Sequence, residues 1–257
     1  MSRFNDSIKN VDGNSKILPI LHSCDAYTFR SILESEILKP KLCPNFNEEY
    51  LYTYYGIPSY RKPLEEATKN LAFFPVCFIL DYNEIPKLSR LHPFDTGAFF
   101  KIPEIKREYF HPNMEISDFE LDPEIQNAVK VVEKFYTSNK KYIENSPSIN
   151  ADNFEESEFE ARSYTSLISG QANTNYDNRV STIEMIFNEK ISLTIKSFVQ
   201  VIMPNSFLGD FKIMSKLKDD FKIPEPLTYY TLKGNPIENF GSVYNEYRKF
   251  IELNKMI

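Results

Sequence analysis

Residues 73–81 (FFPVCFILD) form an apolar run of about the length of one strand. The run is too short to cross a bilayer, and it lacks the polar alternation of a strand with one wet face. It is therefore expected to lie centrally in a sheet, with Pro75 near its start, where a missing N–H is tolerated. A chain of 257 residues is long enough to bury such a strand in a sizeable core.

Around that strand the pattern alternates between strand-like and helical segments. Residues 17–22 read as a strand reaching His22, and Asp25 then offers an N-cap to a helix over 26–35, where Phe29, Ile32 and Leu33 recur at helical spacing. Residues 37–44, interrupted by Pro40 and Pro44, read as a loop, whereas 50–55 (YLYTYY) is dense in strand-favouring aromatics and is turned by Gly56-Ile57-Pro58-Ser59. No clear period runs through 91–120. Helical spacing covers 123–142, 145–153 is a polar loop, and 154–169 is again helical. Strands are expected at 180–187, 191–194, 198–203 and 227–232, with helices at 206–217 and 239–253. No repeat of solenoid or propeller length is present. The fold class is α+β, one domain in which residues 91–171 read as a largely helical insertion.

Composition removes some functions without naming one. A net charge of -6 argues against broad, non-specific nucleic-acid binding, which needs a concentrated basic surface. Cys24, Cys43 and Cys77 are isolated and odd in number, so neither a disulfide framework nor a zinc site is expected. The polar first residues and the absence of a spanning apolar run lead us to expect a cytoplasmic protein with no membrane partner.

Three separated pieces carry candidate chemistry. His22 ends the first strand. A lone histidine usually makes one structural hydrogen bond, and His92 and His111, in proline-rich loops, share no register with it. In 50–61, alternation puts Tyr50, Tyr52 and Tyr54 on one face and Leu51, Thr53 and Tyr55 on the other, so either face offers aromatic surface for a ring. Arg61, past the turn, is a planar donor suited to phosphate. Glu184 shares a strand face with apolar residues, and if that face is buried its carboxyl needs a partner or a task.

Taken in chain order, His22, Tyr54 or Tyr55, and Glu184 resemble the His-Tyr-Glu branch of the ADP-ribosyltransferase superfamily, including the DarT-like toxin and phage-defence enzymes. The resemblance implies a split β-sheet core and NAD as co-substrate, with no metal. It implies that His22 contacts a ribose of NAD, that Tyr54 or Tyr55 stacks on nicotinamide, that Arg61 holds the diphosphate and that Glu184 is the catalytic acidic residue. The implied activity is transfer of ADP-ribose to a macromolecular acceptor, either protein or single-stranded nucleic acid, by a toxin or defence effector with a possible antitoxin partner. The resemblance implies that acceptor choice lies either in the insertion 91–171 or in the loop 170–178 before the glutamate strand, the place where this family recognises its acceptor. An NAD glycohydrolase and an inactive nucleotide sensor are the alternatives.

Overall fold

The computed structural model describes residues 2–59, 68, 70–101, 108–170, 181–231 and 236–257. Its strands are β1 (Ile20–Asp25), β2 (Ile37–Leu38), β3 (Lys41–Cys43), β4 (Glu48–Tyr55), β5 (Pro75–Leu80), β6 (Arg90–His92), β7 (Glu184–Phe187), β8 (Ile191–Ser192), β9 (Phe198–Pro204) and β10 (Leu227–Tyr229). The helices are α1 (Arg3–Ile8), α2 (Ala26–Ser35), α3 (Thr96–Lys101), α4 (Ile125–Tyr136), α5 (Asn139–Ile143), α6 (Phe159–Gly170), α7 (Phe211–Ser215) and α8 (Phe240–Leu253). Together they make a mixed α+β fold around one large sheet.

The apolar run becomes β5, every residue of which is buried. In the sheet order β10-β9-β5-β1-β4-β7-β6 it is flanked by β9 and β1. Phe78 meets Phe29 of α2 with ring centroids 5.6 Å apart, and α8, with Val243, Tyr247 and Ile251 buried, also packs on β5. A strand covered in this way has no position for a polar residue, which is why its sequence does not alternate. All pairings in the large sheet are antiparallel except β9 with β10. No helix among the described residues is long and apolar enough to cross a membrane.

The pairing of β1 with β4 shapes the rest. The two strands share only Ile20↔Tyr55 and Leu21↔Tyr54, after which they part. Beyond Leu21, β1 stays with β5 as far as Asp25↔Pro75, while β4 stays with β7 as far as Leu51↔Phe187. The place β1 vacates beside the start of β4 is taken by β3, in the register Lys41↔Tyr50 to Cys43↔Glu48. The sheet is therefore open between β1 and β3, with α2 standing over the opening. Asp25 caps α2 as the sequence suggests, accepting the Thr28 N–H at 2.8 Å.

Two expectations need correction. Residues 37–44 are not simply a loop, because β2 and β3 lie within them and Pro40 and Pro44 flank β3 instead of excluding it. The helix expected over 123–142 breaks into α4 and α5 at Thr137, whose φ of 66° is a left-handed cap usually given to glycine. The segment 91–171 packs into the same core as the rest of the fold. It carries α3 to α6 and the last two residues of β6, and its Phe94, Phe119, Phe135 and Tyr164 share one core with Phe4 and the sheet. The strand expected from 180 is described from Glu184 onward as β7.

Candidate functional site

The opening between β1 and β3 is the mouth of a cleft of about 600 Å³. Its floor carries Tyr50, Tyr52, Tyr54 and Glu184, one wall carries Thr28, Ser31 and Ser35 of α2, and Lys39 and Lys41 stand opposite. His22 lines the cleft where the sheet divides. The spacing of the wall residues follows the helix: positions 28, 31 and 35 fall on one face.

His22 spans the division. Its Nδ1 lies 2.9 Å from the Tyr52 carbonyl oxygen, and a carbonyl only accepts, so Nδ1 carries the hydrogen. Burial lowers the His22 pKa, the Tyr52 carbonyl opposes that shift, and the nearby Lys41 charge adds to it. The ring is then a neutral imidazole with Nε2 as an acceptor, suited to a ligand hydroxyl.

The choice between Tyr54 and Tyr55 is made by the alternation of β4. Tyr54 lines the cleft, and its hydroxyl donates to Asp95 Oδ2 at 3.3 Å. Tyr55 is fully buried in the core, its Oη accepting the Leu18 N–H at 3.1 Å and its ring 6.2 Å from that of Tyr142. The expectation that Tyr55 contacts a ligand is therefore corrected to Tyr54 alone. Arg61 and most of the loop 170–178 lie outside the described residues.

Glu184 pairs across the sheet with Tyr54 on β4 and with His92 on β6, so these three side chains emerge on one face. Its carboxyl is 1% exposed, and Oε2 accepts both the N–H and the hydroxyl of Thr96, at 3.3 and 2.8 Å. Burial, followed by the charge of Asp95, raises its pKa well above the carboxylate range, and the Thr96 hydrogen bonds only partly offset this. Tyr142 secures the strands from behind: its hydroxyl donates to the Tyr55 carbonyl at 2.8 Å and accepts the Ile183 N–H at 3.0 Å.

Several functional candidates escape a reading of the sequence alone. Asp95 and Thr96 lie in 91–120, where no period is visible, although Asp-Thr-Gly ahead of an apolar run is a helix-start signal. Lys39 and Lys41 fall in the segment read as a loop. His92 is not a loop residue: it ends β6, is 0% exposed, and neither ring nitrogen has a hydrogen-bond partner among the described residues. Its pKa is driven down to about 3, first by burial and then by the Arg90 charge. No protein-family model, no curated protein and no solved structure matches this chain.

Proposed function

We propose that the cleft binds NAD and that the chain is an NAD-dependent ADP-ribosyltransferase acting on a macromolecular acceptor. The observation that supports this reading best is the meeting of His22, Tyr54 and Glu184, three residues far apart in sequence, on one cleft where the sheet divides. The resemblance to the His-Tyr-Glu enzymes needs that meeting, and residues chosen only for their order in the chain have no reason to share a cleft.

The donor set suits a dinucleotide. The cleft volume lies within the range of about 300–1,000 Å³ typical of small-molecule sites. Tyr50, Tyr52 and Tyr54 offer ring faces, and Lys39 and Lys41 offer positive charge to a diphosphate in place of, or alongside, Arg61. NAD supplies a cationic leaving group: its ribose–nicotinamide bond breaks with the electron pair on the nicotinamide nitrogen, and the acceptor bonds to the anomeric carbon and loses a proton. The protein's task is to orient the ribose and to favour the positive charge that builds there. His22 Nε2 accepts from a ribose hydroxyl, Tyr54 bounds the ring, and the carboxyl groups of Glu184 and Asp95 provide the electrostatic complement.

The test is incubation of the purified chain with NAD and cell extract, alongside Glu184→Ala. Free nicotinamide together with labelled macromolecule is expected from the wild type and not from the variant. Nicotinamide without label would replace transfer by hydrolysis. Binding of NAD without any cleavage would turn the reading into that of a sensor.

A further inference from the structure

The row of β4 residues that faces β1 and β3 has one place without a strand partner. Along an antiparallel ladder, alternate residues exchange backbone hydrogen bonds with the strand on one side, and the residues between them with the strand on the other. On β4, Tyr55 donates its N–H to the Ile183 carbonyl at 3.0 Å, so the odd-numbered residues bond toward β7 and Tyr50, Tyr52 and Tyr54 bond the other way. Tyr54 meets Leu21 of β1 and Tyr50 meets Lys41 of β3, while Tyr52, between them, is paired with neither.

The register shows what that place would otherwise hold. The Gly56 N–H donates to the Pro19 carbonyl at 3.0 Å and the Ala26 N–H to the Phe74 carbonyl at 2.9 Å, so on β1 the odd-numbered residues bond toward β4 and the even-numbered ones toward β5. One rung beyond Leu21↔Tyr54, Ser23 would stand opposite Tyr52 with its N–H aimed at the Tyr52 carbonyl. β1 does not make that rung. The Tyr52 carbonyl accepts from His22 Nδ1 at 2.9 Å instead, and the imidazole is backed by Phe78, ring centroids 6.2 Å apart, which packs in turn on Phe29 of α2. A side chain has taken the acceptor that a backbone N–H would use to close the sheet. Only one rung is at stake, because β3 already holds Tyr50.

We propose that His22 is a positioning residue that keeps the cleft open: by holding the Tyr52 carbonyl it stops β1 and β4 from pairing one rung further, at Ser23 and Tyr52. Paired strands lie about 4.8 Å apart, which leaves no room for a ligand between them. The extra rung would draw β1 in beside Tyr52 and Tyr54 and narrow the mouth where the sheet divides. The two ring nitrogens then have separate duties, Nδ1 holding the strands apart and Nε2 facing the ligand. The first of these belongs to the shape of the cleft and does not rest on NAD being its occupant.

The test compares wild type with His22→Val, which removes Nδ1 and favours strand pairing, and with His22→Asn, whose side-chain amide can donate from the place of Nδ1 but has nothing in the place of Nε2. Backbone amide exchange is followed by NMR at Ser23, with Leu21, inside the ladder, as the reference. In wild type Ser23 is expected to exchange about 10-fold or more faster than Leu21; His22→Val should slow Ser23 by about 10-fold or more, and His22→Asn should leave it within about 3-fold of wild type. NAD is the probe of the cleft itself. His22→Val should bind it about 10-fold more weakly than His22→Asn, since both lack Nε2 and only the first closes the rung. Ser23 as protected as Leu21 in wild type, or an Nδ1 without its hydrogen in the wild-type histidine nitrogen-15 spectrum, overturns the proposal even if a variant fails to fold. Unchanged Ser23 exchange in His22→Val, or equal slowing in both variants, also overturns it. Equal NAD affinity in the two variants overturns the link between the rung and the cleft. If no form binds NAD, the proposed function falls and Ser23 exchange alone decides the role of His22.

Discussion

Tyr142→Phe tests the link between the core and the cleft floor. The hydroxyl of Tyr142 is buried, donates to the Tyr55 carbonyl and accepts the Ile183 N–H, so it joins β4 to the residue before β7 directly behind Tyr54 and Glu184. Removing one oxygen atom has two consequences of different size. The Tyr55 carbonyl keeps the Ile57 N–H at 2.8 Å, so on that side only the net worth of one hydrogen bond is lost, about 0.5–1.5 kcal/mol. The Ile183 N–H is left buried without its acceptor, which costs a further 1–3 kcal/mol or so. The expected loss is about 1.5–4.5 kcal/mol, a large part of the stability of an ordinary domain. Urea denaturation measures it as a lower midpoint with an unchanged slope. The control is Tyr247→Phe, in a buried residue whose hydroxyl has no partner among the described residues. Deleting that group should be neutral or stabilising by up to about 1 kcal/mol. Equal effects at the two positions, or a loss below about 0.5 kcal/mol at Tyr142, would refute the claim that this hydroxyl holds the two strands together.

Gly56→Ala should destabilise by about 1–3 kcal/mol in the same assay, because Gly56 has a φ of 64° and an added Cβ would run into the side chain of Leu18. Gly97→Ala should leave the urea midpoint within about 1 kcal/mol and reduce NAD turnover, since the added Cβ would press on the side-chain carboxyl of Asp95; an unchanged rate would count against a part for Asp95 in the proposed site. His92 gives a pH dependence with a definite sign. Its folded-state pKa of about 3 lies below its ordinary value of 6.5, so below 6.5 the unfolded chain takes up a proton that the native state refuses. Stability should therefore fall on acidification from pH 6.5 to about 3, with His92 contributing on the order of 5 kcal/mol across that window. Denaturation curves of wild type and His92→Phe recorded at several pH values should show a shallower acid decline in the variant; parallel curves would contradict it.

Much of the scaffold was legible because local physics decided it. Residues 73–81 admit no wet face, so their place inside the sheet followed directly. Asp25 ahead of an amphipathic segment marked the start of α2, and the alternation of β4 already separated Tyr54 from Tyr55. The miss at Thr137 has the opposite cause. A threonine carries no helix-stopping signal, and Thr137 is itself exposed; the turn is fixed by the buried residues on either side, Phe135 and Tyr136 before it and Tyr142 and Ile143 after it. Short strands were missed for a similar reason: β2 and β3 have two and three residues and take their extended form from the partners they pair with, β8 and β4.

The candidate site divides along the same line. The chain alone nominated His22, the tyrosines and Glu184, because a polar group in or at the end of an apolar stretch is visible as an expense of burial wherever it occurs. It could not rank them, since that expense is offset as well by a structural partner as by a ligand. Only the tertiary structure showed β1 leaving β4 at Leu21, which sets Tyr54 in the cleft and Tyr55 in the core. It alone brought Asp95 and Thr96 across 88 and more residues of chain to the Glu184 carboxyl. Hydrophobic pattern and caps act within a few residues and can be read in order, whereas which polar group meets which is set by register and packing between segments that the order of the chain does not bring together.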